Sequence, residues 1–242
     1  MESKLWYLKR CSIFERISED QAARLDKVAL VRKYKRHSII YSPTEPGQSV
    51  LVLASGRVKI KDLTPEGKET ILAFIEEGEV FGELAVIETD QREEYAEAVA
   101  DSEVLVVPRD DVISMMADNP ETALSITKLI GLRRRRIENR LRNLLFLSSR
   151  DRMLRMLREL TESHGEWSGN HCSIRLALSH QELASLIGVT RETVTATLGQ
   201  LQLEGIIEVK RRKITIVDSD RLTDESNGTV RPSRNYPKKI PE

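Results

Sequence analysis

Gln181-Glu182-Leu183-Ala184-Ser185-Leu186-Ile187-Gly188-Val189-Thr190-Arg191-Glu192-Thr193-Val194 is the stretch whose reading decides the fold of the C-terminal part of this chain. Leu183, Ile187, Val189, Val194 and, further on, Leu198 give one apolar side at helical spacing. Ala184 is small enough to let two helices approach, and Gly188 suits a sharp turn that needs positive φ. The pattern predicts a helix over 179–187, a tight turn and a second helix over 191–203, the arrangement of a helix-turn-helix. Arg191, Glu192 and Thr195 then stand at the exposed start of the second helix, where such a motif meets base edges. Arg can bond guanine O6 and N7 together, and Glu can accept from the cytosine amino group. Ser179, His180, Gln181, Thr190 and Thr193, at the two helix starts, suit phosphates.

Working outward, Ile206–Val209 and Lys213–Ile216 read as a hairpin whose tip, Lys210-Arg211-Arg212-Lys213, is a basic wing for the phosphate backbone. Arg152–Leu160 reads as a helix upstream. The resulting unit is α+β over 149–217, a winged helix-turn-helix. The remainder, 218–242, contains Pro232, Pro237 and Pro241 and reads as a disordered tail.

The N-terminal part has a different period. Ile13, Phe14, Ile17, Ala22, Leu25 and Val28 suggest a helix over 11–30, with Ser18-Glu19-Asp20-Gln21 as a capping box. Then come short strands at 50–53, 58–61, 70–75, 95–99 and 104–107, with turn signals such as Pro46-Gly47, Ser55-Gly56 and Pro65-Glu66-Gly67 between them. Short strands with a turn about every ten residues indicate an all-β roll over 1–120.

Residues 121–148 hold no Pro and one Gly, and their apolar positions fit one long amphipathic helix. Ile126, Ile130, Ile137, Leu141 and Leu144 form a stripe that a parallel second copy would cover, predicting a homodimer. The run Arg133-Arg134-Arg135-Arg136 inside this helix reads as a solvated face.

Charge agrees with this division. The 242 residues carry 38 Lys/Arg and 38 Asp/Glu, but residues 1–120 hold 16 against 23 and the remainder 22 against 15. An acidic half joined to a basic half suggests that the second half meets a polyanion. No apolar run is long enough for a membrane span and no signal-peptide stretch opens the chain, so a cytoplasmic protein with no membrane contact is expected. Two cysteines, Cys11 and Cys172, exclude a disulfide framework, a four-cysteine zinc site and an all-cysteine iron–sulfur cluster within one chain. His37, His164, His171 and His180 show no ligand spacing, and His171-Cys172 reads as a turn before a strand. Cys11 reads as a plain buried thiol rather than a redox switch. No P-loop, Ser/His/Asp or paired-carboxylate pattern is present, so the chain is expected not to be an enzyme.

Two motifs carry a resemblance. Gly78-Glu79-Val80-Phe81-Gly82-Glu83-Leu84 and Arg191-Glu192-Thr193-Val194 are similar to the effector-domain and recognition-helix signatures of the cyclic-AMP receptor/fumarate–nitrate regulator superfamily of bacterial transcription factors. The stretch from Ile137 to Arg152 is similar to the end of its dimer helix and its hinge. The resemblance spans about residues 10–217 and implies a β-roll (a cyclic-nucleotide-binding-like jelly roll), a long dimerisation helix and a C-terminal winged helix. It further implies a homodimer on two-fold-related half-sites of double-stranded DNA, with RNA polymerase as a partner. It places a candidate effector pocket at Gly82, Glu83, Leu84, Arg92, Glu93, Ile137 and Glu138.

Departures from the family pattern bear on the effector. Members that bind cyclic AMP follow the Gly-Glu-Leu motif with an Arg-Ser or Arg-Thr pair for the phosphate. Here Arg92 is followed by Glu93 and Glu94, and the adenine-contacting polar pair appears as Ile137 and Glu138. Carboxylates beside a phosphate site repel it. The expectation is therefore an unidentified effector other than cyclic AMP, with no metal, haem or iron–sulfur cluster. The alternatives are a ligand-independent regulator with the roll as scaffold, or a cyclic-nucleotide-binding regulatory protein. Ala196 stands where several members carry a second base-reading Arg, which predicts relaxed specificity at one guanine per half-site.

Overall fold

The structure is a computed structural model that describes Phe14 and residues 17–67, 69–87, 91–210 and 213–227. The chain divides into two compact units, Met1–Glu138 and Asn139–Glu242.

The first unit begins with α1 (Glu19–Val28), started by Ser18. The Ser18 hydroxyl accepts from the Gln21 N–H at 3.2 Å, and the Gln21 side chain accepts from the Ser18 N–H at 3.0 Å. This capping box satisfies two N–H groups at a helix start. Among the described residues the helix does not fill the expected 11–30: Ser18 before it and Ala29 after it both take extended backbone. Cys11 and Ile13 lie outside the described residues.

Among the described residues eight strands follow: β1 (Leu30–Tyr34), β2 (Ile39–Tyr41), β3 (Ser49–Ser55), β4 (Val58–Leu63), β5 (Glu69–Ile75), β6 (Val80–Phe81), β7 (Tyr95–Ala98) and β8 (Ser102–Pro108). They pair antiparallel in two four-stranded sheets, ordered β1-β8-β3-β6 and β2-β7-β4-β5. One core cluster joins Leu51, Leu53, Val58, Ile75, Phe81 and Ala98 with neighbours from both sheets. A second gathers Val50, Val52, Leu105 and Val107 against Phe14 and Leu25. Alternate residues of β3 thus serve the two clusters, as the period of two in a strand requires.

After β8 the chain forms α2 (Arg109–Asp118), a helix the sequence reading missed. Its apolar residues Val112, Ile113, Met115 and Met116 do not keep to one narrow stripe, yet Val112 and Met115 are buried in the second cluster. Then α3 runs from Pro120 to Phe146. Asn119 Oδ1 accepts from the Glu121 N–H at 3.0 Å, and Pro120 stands in the first turn, where its missing N–H costs nothing.

Burial along α3 corrects the expected stripe. Ile126 is 1% exposed and belongs to the core of the roll, with Ile130 and Leu129 packed partly against the same cluster. These residues have their partner within the chain. Ile137, Leu141, Leu145 and Phe146 remain exposed. The four-arginine run is corrected too: Arg133 is turned onto the roll rather than into solvent, its side chain 20% exposed.

The second unit contains α4 (Ser149–His164), the β9 (Gly165–Ser168) and β10 (His171–Ile174) hairpin, α5 (His180–Ile187), α6 (Arg191–Leu203), and the β11 (Ile207–Lys210) and β12 (Lys213–Ile216) hairpin. Its sheet is ordered β11-β12-β10-β9. Met153, Leu154 and Leu157 of α4, Leu183 and Ile187 of α5, and Val194, Leu198 and Leu201 of α6 are buried. His171 and Cys172 lie on strand β10, not on a turn. Cys172 is buried, and burial, then Glu166, pushes its thiol pKa above the ordinary range.

The tail reading is corrected in its first part. Residues 219–227 form α7 (Ser219–Asn227), with Leu222 buried at 2% exposed. The Asp218 side chain caps the helix by accepting from the Arg221 N–H at 2.9 Å. One cap and one buried leucine order a segment whose composition reads as disordered. Residues 228–242 lie outside the described residues.

Candidate DNA-binding surface and effector pocket

In the second unit, Gly188 ends α5 at φ 67°, and its N–H and that of Val189 both donate to the Ala184 carbonyl, at 2.9 and 3.1 Å. A side chain there would be strained by the backbone and would meet Leu144 Cδ2 at 2.7 Å. Leu144 therefore packs toward the turn within its own unit, although it keeps 42% exposure.

The expected contact residues fall into two groups. Arg191 and Glu192 are exposed in the first turn of α6. Gln181 is exposed at the start of α5, and Lys210 is exposed at the hairpin tip, opposite Lys213. The Lys210 ammonium pairs with Glu208 at 2.6 Å, a surface pair that a phosphate can replace at little cost.

The others are already engaged. Ser179 forms the capping box of α5: its N–H donates to Glu182 Oε2 at 2.7 Å and its hydroxyl accepts from the Glu182 N–H at 3.2 Å. Thr190 caps α6 by accepting from the Thr193 N–H at 3.2 Å, and their hydroxyls lie 3.0 Å apart. The Thr195 hydroxyl donates to the Arg191 carbonyl at 3.0 Å and lies 2.8 Å from His180 Nδ1. Arg211 and Arg212 lie outside the described residues.

In the first unit, a cleft is lined by Gly47, Gly82, Leu84, Ala85, Gln91, Arg92, Glu93 and Glu94. Gly82, Leu84, Arg92 and Glu93 of the expected pocket are thus brought together. Gly82, at φ 65°, lets Arg92 cross its α-carbon: a Cβ there would stand 2.5 Å from Arg92 Nη1. Arg92 donates to the Ser49 carbonyl at 2.7 Å, and its guanidinium carbon lies 4.0 Å from the centre of the Tyr41 ring. The Tyr41 hydroxyl donates to Glu94 at 3.2 Å. Burial, then the Glu94 charge, lifts Tyr41 well above its ordinary pKa. Burial likewise raises Glu94, with Tyr41 and Arg92 opposing the shift and Glu83 adding to it.

Glu83 is 4% exposed, and its carboxylate accepts from Arg133, whose second nitrogen donates to the Val80 carbonyl. Ile137 and Glu138 do not line the cleft. Both are exposed on α3, and Glu138 pairs with Arg134 one turn away at 3.1 Å. Sequence reasoning missed Arg133. The signal was available: Ile126, Ile130 and Arg133 are spaced i, i+4 and i+7, so they share the helix face packed on the roll.

Residues 31–119 match the family described as cyclic nucleotide-binding domain, and residues 151–225 match that described as Crp-like helix-turn-helix domain. The chain is 32% identical over 197 residues to the cyclic AMP receptor protein of Thermus thermophilus, covering 81% of this chain and 88% of that protein. It belongs to the cyclic-AMP receptor/fumarate–nitrate regulator superfamily. As a superfamily member it is a transcription regulator with a cyclic-nucleotide-binding-type domain and a helix-turn-helix. It is also 30% identical over 189 residues to the global nitrogen regulator of a Nostoc species, covering 77% of this chain and 85% of that protein. The solved structure of FixK2 from Bradyrhizobium japonicum is similar at a TM-score of 0.72 and 25% identity, over 81% of this chain and 96% of that one. The names of these superfamily relatives refer to cyclic AMP in one case and nitrogen in another, so membership alone does not name an effector. Among the described residues, no helix is long and apolar enough to cross a membrane.

Proposed function

We propose that the chain is a homodimeric, sequence-specific DNA-binding regulator that reads two-fold-related half-sites and is not controlled by cyclic AMP. The observation that carries this reading is the first turn of α6, where Arg191 and Glu192 stand exposed behind the Thr190 cap. Arg191 and Glu192 are the base readers, and Thr195 acts through its bond to His180. Gln181, Thr190, Thr193, Lys210, Arg211 and Arg212 hold phosphates, and Ser179 shapes the start of α5.

The exposed Ile137, Leu141, Leu145 and Phe146 support a second copy along the later turns of α3. The domains then divide as a roll through 120, a dimerisation helix to about 148, and a winged helix-turn-helix from there. The chain works in the cytoplasm by binding rather than catalysis, with RNA polymerase as a further partner. Against cyclic AMP stand Glu93 and the partly buried Glu94 beside Arg92, and the engagement of Glu83 by Arg133.

Selection of bound duplexes from a random pool tests this reading. Enrichment of an inverted repeat without added nucleotide supports it. Enrichment of no sequence, or enrichment only with cyclic AMP, contradicts it.

A further inference from the structure

The buried side chains of α6 end at Leu201. Beyond it Gln202 and Leu203 are exposed. The helix stops in a turn where the Ile206 N–H donates to the Leu201 carbonyl and the Gly205 N–H to the Gln202 carbonyl, both at 3.0 Å. That turn fixes how the helix ends, not where its end sits in the unit.

The placing falls to Glu204. Its Oε2 accepts from Arg150 at 2.7 Å, and its Oε1 accepts from the Gln200 amide at 3.0 Å. Arg221 donates to the Glu204 backbone carbonyl at 2.8 Å, and its other nitrogen lies 3.9 Å from Oε2. A cation on a carbonyl at the C-terminal end of a helix satisfies an acceptor and suits the helix dipole. The Arg150 and Glu204 side chains are only 28% and 24% exposed, so their pair is better shielded than an open surface pair. The hydrogen bond from Arg150, with Gln200 and Arg221 assisting, holds the Glu204 carboxyl below its ordinary range. Arg150 lies in the first turn of α4 and Arg221 in the first turn of α7, which packs on α4 with Leu222 buried. Three helices thus meet on one residue.

We propose that Glu204 is a positioning residue for DNA reading. By joining Arg150 and Arg221 it fixes the far end of α6, and with it the angle at which Arg191 and Glu192 meet the bases. Helix α7 then belongs to the reading apparatus and is not an appendage to it. This inference rests on the DNA-binding reading above. The lever is long: the 13 residues of α6 span about 20 Å at about 1.5 Å per residue. A tilt of about 10° about the Glu204 end would carry the reading end by about 3 Å, more than a hydrogen bond tolerates.

The test is fluorescence anisotropy on the full chain. It uses a duplex selected by the wild type, a panel of single-base variants of that duplex, and a random duplex of the same length. Glu204→Ala, Glu204→Gln, Arg221→Ala and Arg191→Ala are compared with the wild type, and urea unfolding confirms that each folds. Glu204→Ala and Arg221→Ala should lose preference for the selected duplex by roughly 2–30-fold, the range for residues that act on a site without touching its ligand. Both should bind random DNA like the wild type, and Glu204→Gln should fall between. Their loss should spread over every base position of the half-site, whereas Arg191→Ala flattens one.

Glu204→Gln keeps the side-chain shape, so it decides the matter if Glu204→Ala does not fold. Wild-type preference in the folded Glu204 variants, with stability alone reduced, overturns the inference. So does a loss confined to one base position, or an equal weakening of selected and random DNA. A wild type that selects no sequence takes down the DNA-binding reading, and this inference with it.

Discussion

His180 Nδ1, at the start of α5, lies 2.8 Å from Thr195 Oγ1 on α6, and this contact ties the two helices of the helix-turn-helix together. The Thr195 hydroxyl also donates to the Arg191 carbonyl at 3.0 Å. A hydroxyl has one proton, so with that proton on the carbonyl the His180 ring supplies an N–H to Thr195. The orientation of Arg191's own turn is then linked to the start of α5. His180→Ala should destabilise the fold by about 0.5–1.5 kcal/mol, the net worth of one hydrogen bond, and weaken binding to the selected DNA. Thr195→Val, which keeps the shape, should do the same. Urea unfolding and anisotropy titrations check both, and unchanged DNA affinity in the two variants would make the contact incidental.

The apolar residues of α3 should divide into two functional classes. Ile137→Lys with Leu141→Lys, at exposed positions, should give monomers in light scattering while the roll stays folded. Ile126→Ala, in the core, should leave the dimer intact and cost roughly 2–5 kcal/mol of stability. A dimer that survives the double lysine substitution would place the interface elsewhere.

Readers and holders of DNA should fail differently. Arg191→Ala should cost about 1–3 kcal/mol on the selected site and flatten preference at one guanine. Lys210→Ala should weaken selected and random DNA alike and lower the salt slope by about one per contact. Titrations on both duplexes at several salt concentrations separate the two. Equal weakening of both duplexes by Arg191→Ala would reverse the assignment.

A charge cluster on the β2-β7-β4-β5 sheet sets the acid limit of the roll. Lys61 Nζ lies 2.5 Å from Glu97 and 2.9 Å from Glu69, and Lys59 Nζ lies 3.0 Å from Glu69. Burial acts to raise the Glu97 pKa, but Lys61, Lys59 and His37 outweigh it and hold the carboxyl below its ordinary 4.5. Burial acts to lower Lys61, and Glu97 and Glu69 outweigh it, holding the ammonium above its ordinary 10.5. A depressed carboxylate contributes stability that is present above pH 4.5 and lost as the pH falls through its folded value. A raised ammonium contributes stability that is present below pH 10.5 and lost as the pH rises through its folded value. The contribution of this Lys61–Glu97 pair to stability should be level between those limits. Glu97→Gln should lower the plateau and remove part of the acid slope. An acid slope unchanged in Glu97→Gln would assign it to other carboxylates.

The parts that were legible in the sequence are those where local pattern and final packing agree. The turn at Gly188, the capping box of Ser18, and the strands with a period of two follow from spacing alone. What stayed hidden depends on distant partners. Ile126 and Ile137 look alike along the chain, and only the roll, which buries the first, tells them apart. Arg133 is one of four consecutive arginines until Glu83, fifty residues earlier, selects it. Short α2 and α7 each rest on one or two buried apolar residues, too few to mark a period.

The central claim, a two-fold dimer reading two half-sites, is tested most directly by changing the spacing between them. Adding about 5 base pairs to the centre of the selected inverted repeat rotates one half-site by roughly half of the 10–10.5 base-pair helical turn, out of reach of the second copy. Two chains should bind the native repeat, and preference over random DNA should vanish on the lengthened one. Undiminished binding to the lengthened duplex, or a complex holding a single chain, would contradict the account.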